Sequence, residues 1–168
     1  MAADQAAGLR RWAEQFAACQ PPALEPEAVA VAPARAEPAV TLLAVGVPGG
    51  PDARARRVQA VLARWAANGH RWVGAPMRWK VVPLEPDSPH LDVLASQQSR
   101  WALWVGDDEE AFRRAWRQLR TLREHGGPAR LLVLHDGIAT NAGLLDNLRQ
   151  AAASYLQVEL LLIEETHR

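Results

Sequence analysis

The chain reads as an α/β domain of three layers, built around a five-stranded, mostly parallel sheet with strand order 2-1-3-4-5. Three observations predict this. Apolar runs at 40–47, 77–84, 100–106, 129–137 and 156–164 alternate with segments of helical periodicity. Several of the runs are apolar almost throughout, as strands covered on both faces must be. Right-handed crossovers between successive strands then favour the doubly wound order.

Each element has its own signals. Residues 4–19 place Leu9, Trp12, Phe16 and Cys19 on one stripe of an amphipathic helix, with Arg10, Arg11 and Glu14 off it. Residues 20–38 form a Pro/Ala/Glu linker, in which Pro21, Pro22, Pro26, Pro33 and Pro38 block helix and strand alike. The domain begins at 39. Its first strand, 40–47, ends in the turn Pro48–Gly49–Gly50–Pro51, and Asp52 is expected to cap the helix 52–68. Val58, Val61, Leu62 and Trp65 make that helix's buried stripe, and Gly69 stops it. The second strand is 77–84, against which 71–73 is placed as a candidate hairpin partner. A short helix over 89–98 leads to the strand 100–106. The segment 107–127 opens on Asp107, Asp108, Glu109 and Glu110 and continues through five arginines, an order suited to a helix dipole. Its buried stripe is Phe112, Ala115, Trp116, Leu119 and Leu122, and Gly126–Gly127 ends it. After the strand 129–137, Thr140 or Asn141 caps a helix reaching Tyr155, and 156–164 is the last strand.

Flavodoxin-like and Rossmann-like sheets of this order end on a helix after the fifth strand, beside the first helix. Here Glu164 is followed only by a few residues to Arg168, so that helix is expected to be lacking and a strip of sheet beside helix 52–68 to need another cover. The amphipathic helix 4–19 is the candidate, docking in cis or on a partner through Leu9, Trp12 and Phe16.

Composition narrows the function classes. The chain has 168 residues, 49% of them apolar, enough for a sizeable core. Lys plus Arg equals Asp plus Glu at 19 each, which argues against a general nucleic-acid binder. One cysteine gives no internal disulfide and no cysteine-rich zinc site. No apolar run approaches a membrane span, and no basic-then-apolar leader opens the chain, so a cytoplasmic protein is expected. Lys80 is the only lysine, the mark of a GC-rich, bacterial genome.

Ligands of such sheets bind outside the carboxyl ends of the strands. That rule gathers Gly49 and Gly50, Asp107 and Asp108, and His135 and Asp136 into one candidate ligand site. The strand–glycine turn–helix at 40–52 invites a phosphate-loop reading, but Pro51 and Asp52 stand where Lys and Ser or Thr are needed. The 107–110 acids resemble the Asp-x-Asp stretch of Toprim nucleic-acid enzymes over about a dozen residues, yet Val45–Gly46 replace the glutamate that family needs after its first strand. The topology also resembles a response-regulator receiver. Asp107 matches the phosphoacceptor, but acids after strand 1 and a lysine after strand 5 are missing. Trp72 and Trp79 lie with Arg71, Arg78 and Lys80 near a sheet edge, a candidate partner surface together with Leu9, Trp12 and Phe16.

No complete catalytic set, cofactor motif or metal-ligand spacing emerges. The expectation is a non-catalytic regulatory or adaptor domain that binds another protein or a second copy of itself, without cofactor. The alternatives are a small nucleotide- or phosphate-binding protein or enzyme using the carboxyl edge of the sheet, and weak nucleic-acid binding through Trp72 to Lys80.

Overall fold

The computed structural model describes residues 39–137 and 142–163. The segments 4–19 and 20–38, and with them Leu9, Trp12 and Phe16, lie outside the described residues, as do Thr140 and Asn141.

The chain runs β1 (Val40–Val45), α1 (Pro51–Ala67), β2 (Trp79–Leu84), α2 (Leu91–Gln97), β3 (Trp101–Trp104), α3 (Ala111–Glu124), β4 (Arg130–Leu134), α4 (Ala142–Ala151) and β5 (Glu159–Leu161). The sheet is wholly parallel with order β2-β1-β3-β4-β5. Alternation along each strand divides the core. Leu43, Val45, Leu103, Leu131, Val133 and Leu160 face α2, α3 and α4. Leu42, Ala44, Ala102, Trp104 and Leu134 face α1, which buries Val58, Val61, Leu62 and Trp65 against them. Trp101 and Trp104 fall on opposite faces and are both buried, as their spacing in a central strand requires.

Local physics moved several boundaries. The hairpin at 71–73 does not form, and β2 pairs only with β1. Residues 70–78 instead make successive turns, closed by Val73 N–H to the His70 carbonyl (3.1 Å) and Gly74 N–H to the Arg71 carbonyl (3.2 Å). Pro76, which has no N–H for a ladder, opens a single 3₁₀ turn to Arg78. Gly50, not Asp52, caps α1, since Pro51 is already preset for its first turn. The acids 107–110 precede α3 rather than open it: Glu110 is the cap residue, and its N–H donates to Asp108 Oδ1 at 3.0 Å. Beyond α4 the chain continues as a π-helical turn, Ala152–Leu156, and Gln157 leaves it in the left-handed region (φ 55°), so β5 starts later than the apolar run suggests. Phe112 and Trp116, expected to be buried, are only half-buried: their rings stack at 6.5 Å, and the exposed Tyr155 meets Trp116 edge-on at 6.3 Å.

Candidate functional site

The carboxyl ends of β1 and β3, where the strand order reverses, frame a cleft of about 370 Å³. Of the candidate ligand residues, Asp107, Asp108 and Asp136 line it, whereas Gly49, Gly50 and His135 do not. Charge is plentiful there but already matched. Arg54 bridges to Glu85 at 2.5 Å and donates to the Gly49 carbonyl at 2.6 Å. Arg57 faces Asp136 at 3.5 Å. Arg114 grips Asp108 through two hydrogen bonds of 2.9 and 3.2 Å. The hydrogen bond from Arg114 holds the Asp108 carboxyl below its usual range, and Asp108 in turn raises Arg114.

The glycine turn is built into the start of α1. The Gly50 carbonyl accepts from Arg54 N–H in the first turn of α1, and Pro51 has no N–H to offer. His135 is 6% exposed, with Nδ1 accepting from Gly137 N–H (3.1 Å) and its carbonyl accepting from Arg64 (2.8 Å). It is thus tied into the turn after β4 rather than aimed into the cleft. No group of three or more His, Cys, Asp or Glu among the described residues has the geometry to hold a metal ion.

Two features of this cleft escaped the sequence reading. Arg54 and Arg57 stand on one side of α1 at i, i+3, a spacing that was available as a signal. Gly46, at φ +80°, brings β1's end so close to Gln118 that a Cβ would fall on that side-chain amide. Only topology reveals this contact between distant residues. Gln118 Oε1 is buried without a hydrogen-bond partner among the described residues.

A second surface lies on the α1 face of the sheet. α1 packs toward β2 and reaches only Leu134 at the end of β4, and no helix among the described residues lies over Leu132 and β5 on that side. Leu132 and Leu161 are register neighbours there. Leu161 is 39% exposed and Trp72 47% exposed, with Ile163 half-buried further along. Trp72 sits between Trp65 (5.9 Å) and Trp79 (6.1 Å, edge-on). Trp79 itself is 6% exposed, and its indole N–H donates to the Val73 carbonyl at 2.7 Å. Of the two sequence-selected tryptophans, Trp72 alone presents its ring to the surface. Toward the amino ends of the strands the strip runs into a groove of about 550 Å³, lined by Val40, Leu42, Trp72, Leu132 and Leu161 among others.

Fold and surfaces together define a doubly wound, all-parallel α/β domain with a self-paired polar cleft at one end and an open apolar strip on one face. No protein-family model and no curated protein matches the chain. Among the described residues no helix is long and apolar enough to cross a membrane.

Proposed function

We propose that the chain is a non-catalytic regulatory or adaptor module that binds another protein through the strip on its α1 face. One observation carries the reading: a parallel sheet has to be covered on both faces, yet Leu132, Leu161 and Trp72 form a continuous apolar row with no described helix over it. The carboxyl-end cleft supports the same reading. Each arginine that lines it is paired with a carboxylate, so a phosphate or nucleotide would compete there with carboxylates already in place. The single cysteine suits a cytoplasmic setting, and the arginine-for-lysine usage a bacterial one.

The test is to pan a displayed library of random peptides, each about 16 residues long, against the full chain. Selected peptides should be lost by Leu161→Asp and by Trp72→Ala while the circular dichroism spectrum stays unchanged. Peptides that bind Leu161→Asp as tightly as the parent chain place docking elsewhere and overturn the reading. So does a library that yields no strip-dependent binder.

A further inference from the structure

The parallel sheet collects four arginines at one end of the strip. Arg100 immediately precedes β3, Arg130 opens β4, and Arg71 and Arg78 come from the turns before β2. Because the strands run the same way, these starts lie along a single edge. All four arginines line the groove, and among the described residues no aspartate or glutamate does. This segregation is local, since the chain as a whole carries equal numbers of each sign, 19 and 19. Arg130 is bridged to Glu159 at 2.7 Å; Arg71 and Arg100 are exposed and have no ion-pair partner among the described residues. At the opposite end of the sheet Arg54, Arg57 and Arg114, all three arginines described in the cleft, meet carboxylates of the same domain.

Resting on the docking reading above, we infer that the strip takes an acidic amphipathic segment of a partner protein. Its apolar side chains lie over Leu132, Leu161 and Trp72, and its carboxylates reach Arg71 and Arg100. The size suits such a segment. β4 has five residues, which at about 3.3 Å each gives a strip matched by about three turns of helix. Apolar anchors at i, i+3, i+4 and i+7 supply the contact, and guanidinium–carboxylate pairs at the rim set the direction and exclude basic segments. A single-stranded nucleic acid fits the arginines but not the floor. Val40, Leu42, Leu132 and Leu161 are aliphatic, and the one exposed indole among the described residues of the groove is flanked by Trp65 and Trp79, which leaves no stacking platform of successive open rings among them.

The test uses one apolar stripe, taken from a library-selected peptide, synthesised with glutamate, glutamine or lysine at its polar positions. Affinity for the full chain is read by fluorescence anisotropy. Each exposed charge pair contributes a few-fold, so the glutamate form should bind about tenfold more tightly than the lysine form, and raised salt should shrink the gap. Arg71→Glu with Arg100→Glu should invert the order; both positions are exposed, so the fold should tolerate the change. Equal binding of the three forms, all lost in Leu161→Asp, overturns the acidic partner and leaves the strip reading standing. Binding that survives Leu161→Asp overturns the strip reading itself. Two further outcomes each replace the inference. An oligo-dT of about 15 nucleotides that displaces the glutamate peptide at lower concentration assigns the groove to nucleic acid. A several-fold gain in peptide affinity in full chain carrying Trp12→Asp and Phe16→Asp assigns it to the chain's own amino-terminal segment.

Discussion

Trp72 and Trp79 are adjacent in space and distant in consequence, and substituting each by alanine separates surface from core. Trp79 is 6% exposed and its indole N–H satisfies the Val73 carbonyl, which Trp79→Ala leaves without that donor. Truncating a buried tryptophan costs about 3–5 kcal/mol, and the orphaned carbonyl keeps this site toward the upper end. Trp72 is 47% exposed, makes no hydrogen bond through its ring among the described residues, and loses mainly its contacts with Trp65 and Trp79. Its alanine variant should cost about 1 kcal/mol. With a urea slope of about 2 kcal/mol per molar, Trp79→Ala lowers the unfolding midpoint by about 2 M and Trp72→Ala by about 0.5 M. Peptide binding should show the reverse ranking at temperatures where both variants are folded. Equal destabilisation by the two substitutions would refute the assignment of Trp79 to the core and of Trp72 to the strip.

Other outcomes follow from the cleft. Asp108, held below its usual pKa by Arg114, contributes stability that is present above the ordinary carboxylate range and lost as pH falls through its lowered value. Asp108→Asn should therefore flatten that part of the acid limb of the stability profile, and an unchanged limb contradicts the pairing. Gly46→Ala forces a Cβ onto the Gln118 amide at φ +80° and should cost about 1–3 kcal/mol by denaturant unfolding. In a Gln118→Ala background only the backbone share should remain, and additive costs would show that the two residues do not meet. Magnesium, ATP or inorganic phosphate should leave the melting temperature unchanged. A ligand at a hundredfold excess over its dissociation constant would add about 2.7 kcal/mol, so a clear rise, lost in Asp136→Ala, would favour the nucleotide-binding alternative.

Most of the architecture was legible because the signals are redundant. Val58, Val61, Leu62 and Trp65 give the helical period, and the runs around Leu42 and Leu132 have no polar alternation to permit a solvated face. Order then follows from handedness, which acts on every crossover alike. The misreadings share another cause. Asp52 and the acids at 107–110 are helix-start residues by type, but Pro51 and the Asp108 turn decide where each helix begins. The segment 71–73 looks like a strand by composition, and Gly74 with Pro76 makes it a turn. The candidate site was legible as a place but not as a state. Topology put Asp107, Asp108 and Asp136 at one end, yet pairing with Arg57 and Arg114 depends on which way helices α1 and α3 turn their faces, a tertiary fact. The arginine edge of the groove was only half visible for the same reason: Arg71 and Arg78 stand close in the sequence, but Arg100 and Arg130 join them only because the starts of β2, β3 and β4 are aligned.

Methyl NMR on the full chain, labelled at leucine, valine and isoleucine, tests the docking surface most directly. With a library-selected acidic peptide added, the resonances of Val40, Leu132, Leu161 and Ile163 should shift together, and those of Val47 and Val105 beside the carboxyl-end cleft should stay in place. Shifts confined to Val47 and Val105, with the strip methyls unmoved, would contradict the assignment of binding to the α1 face.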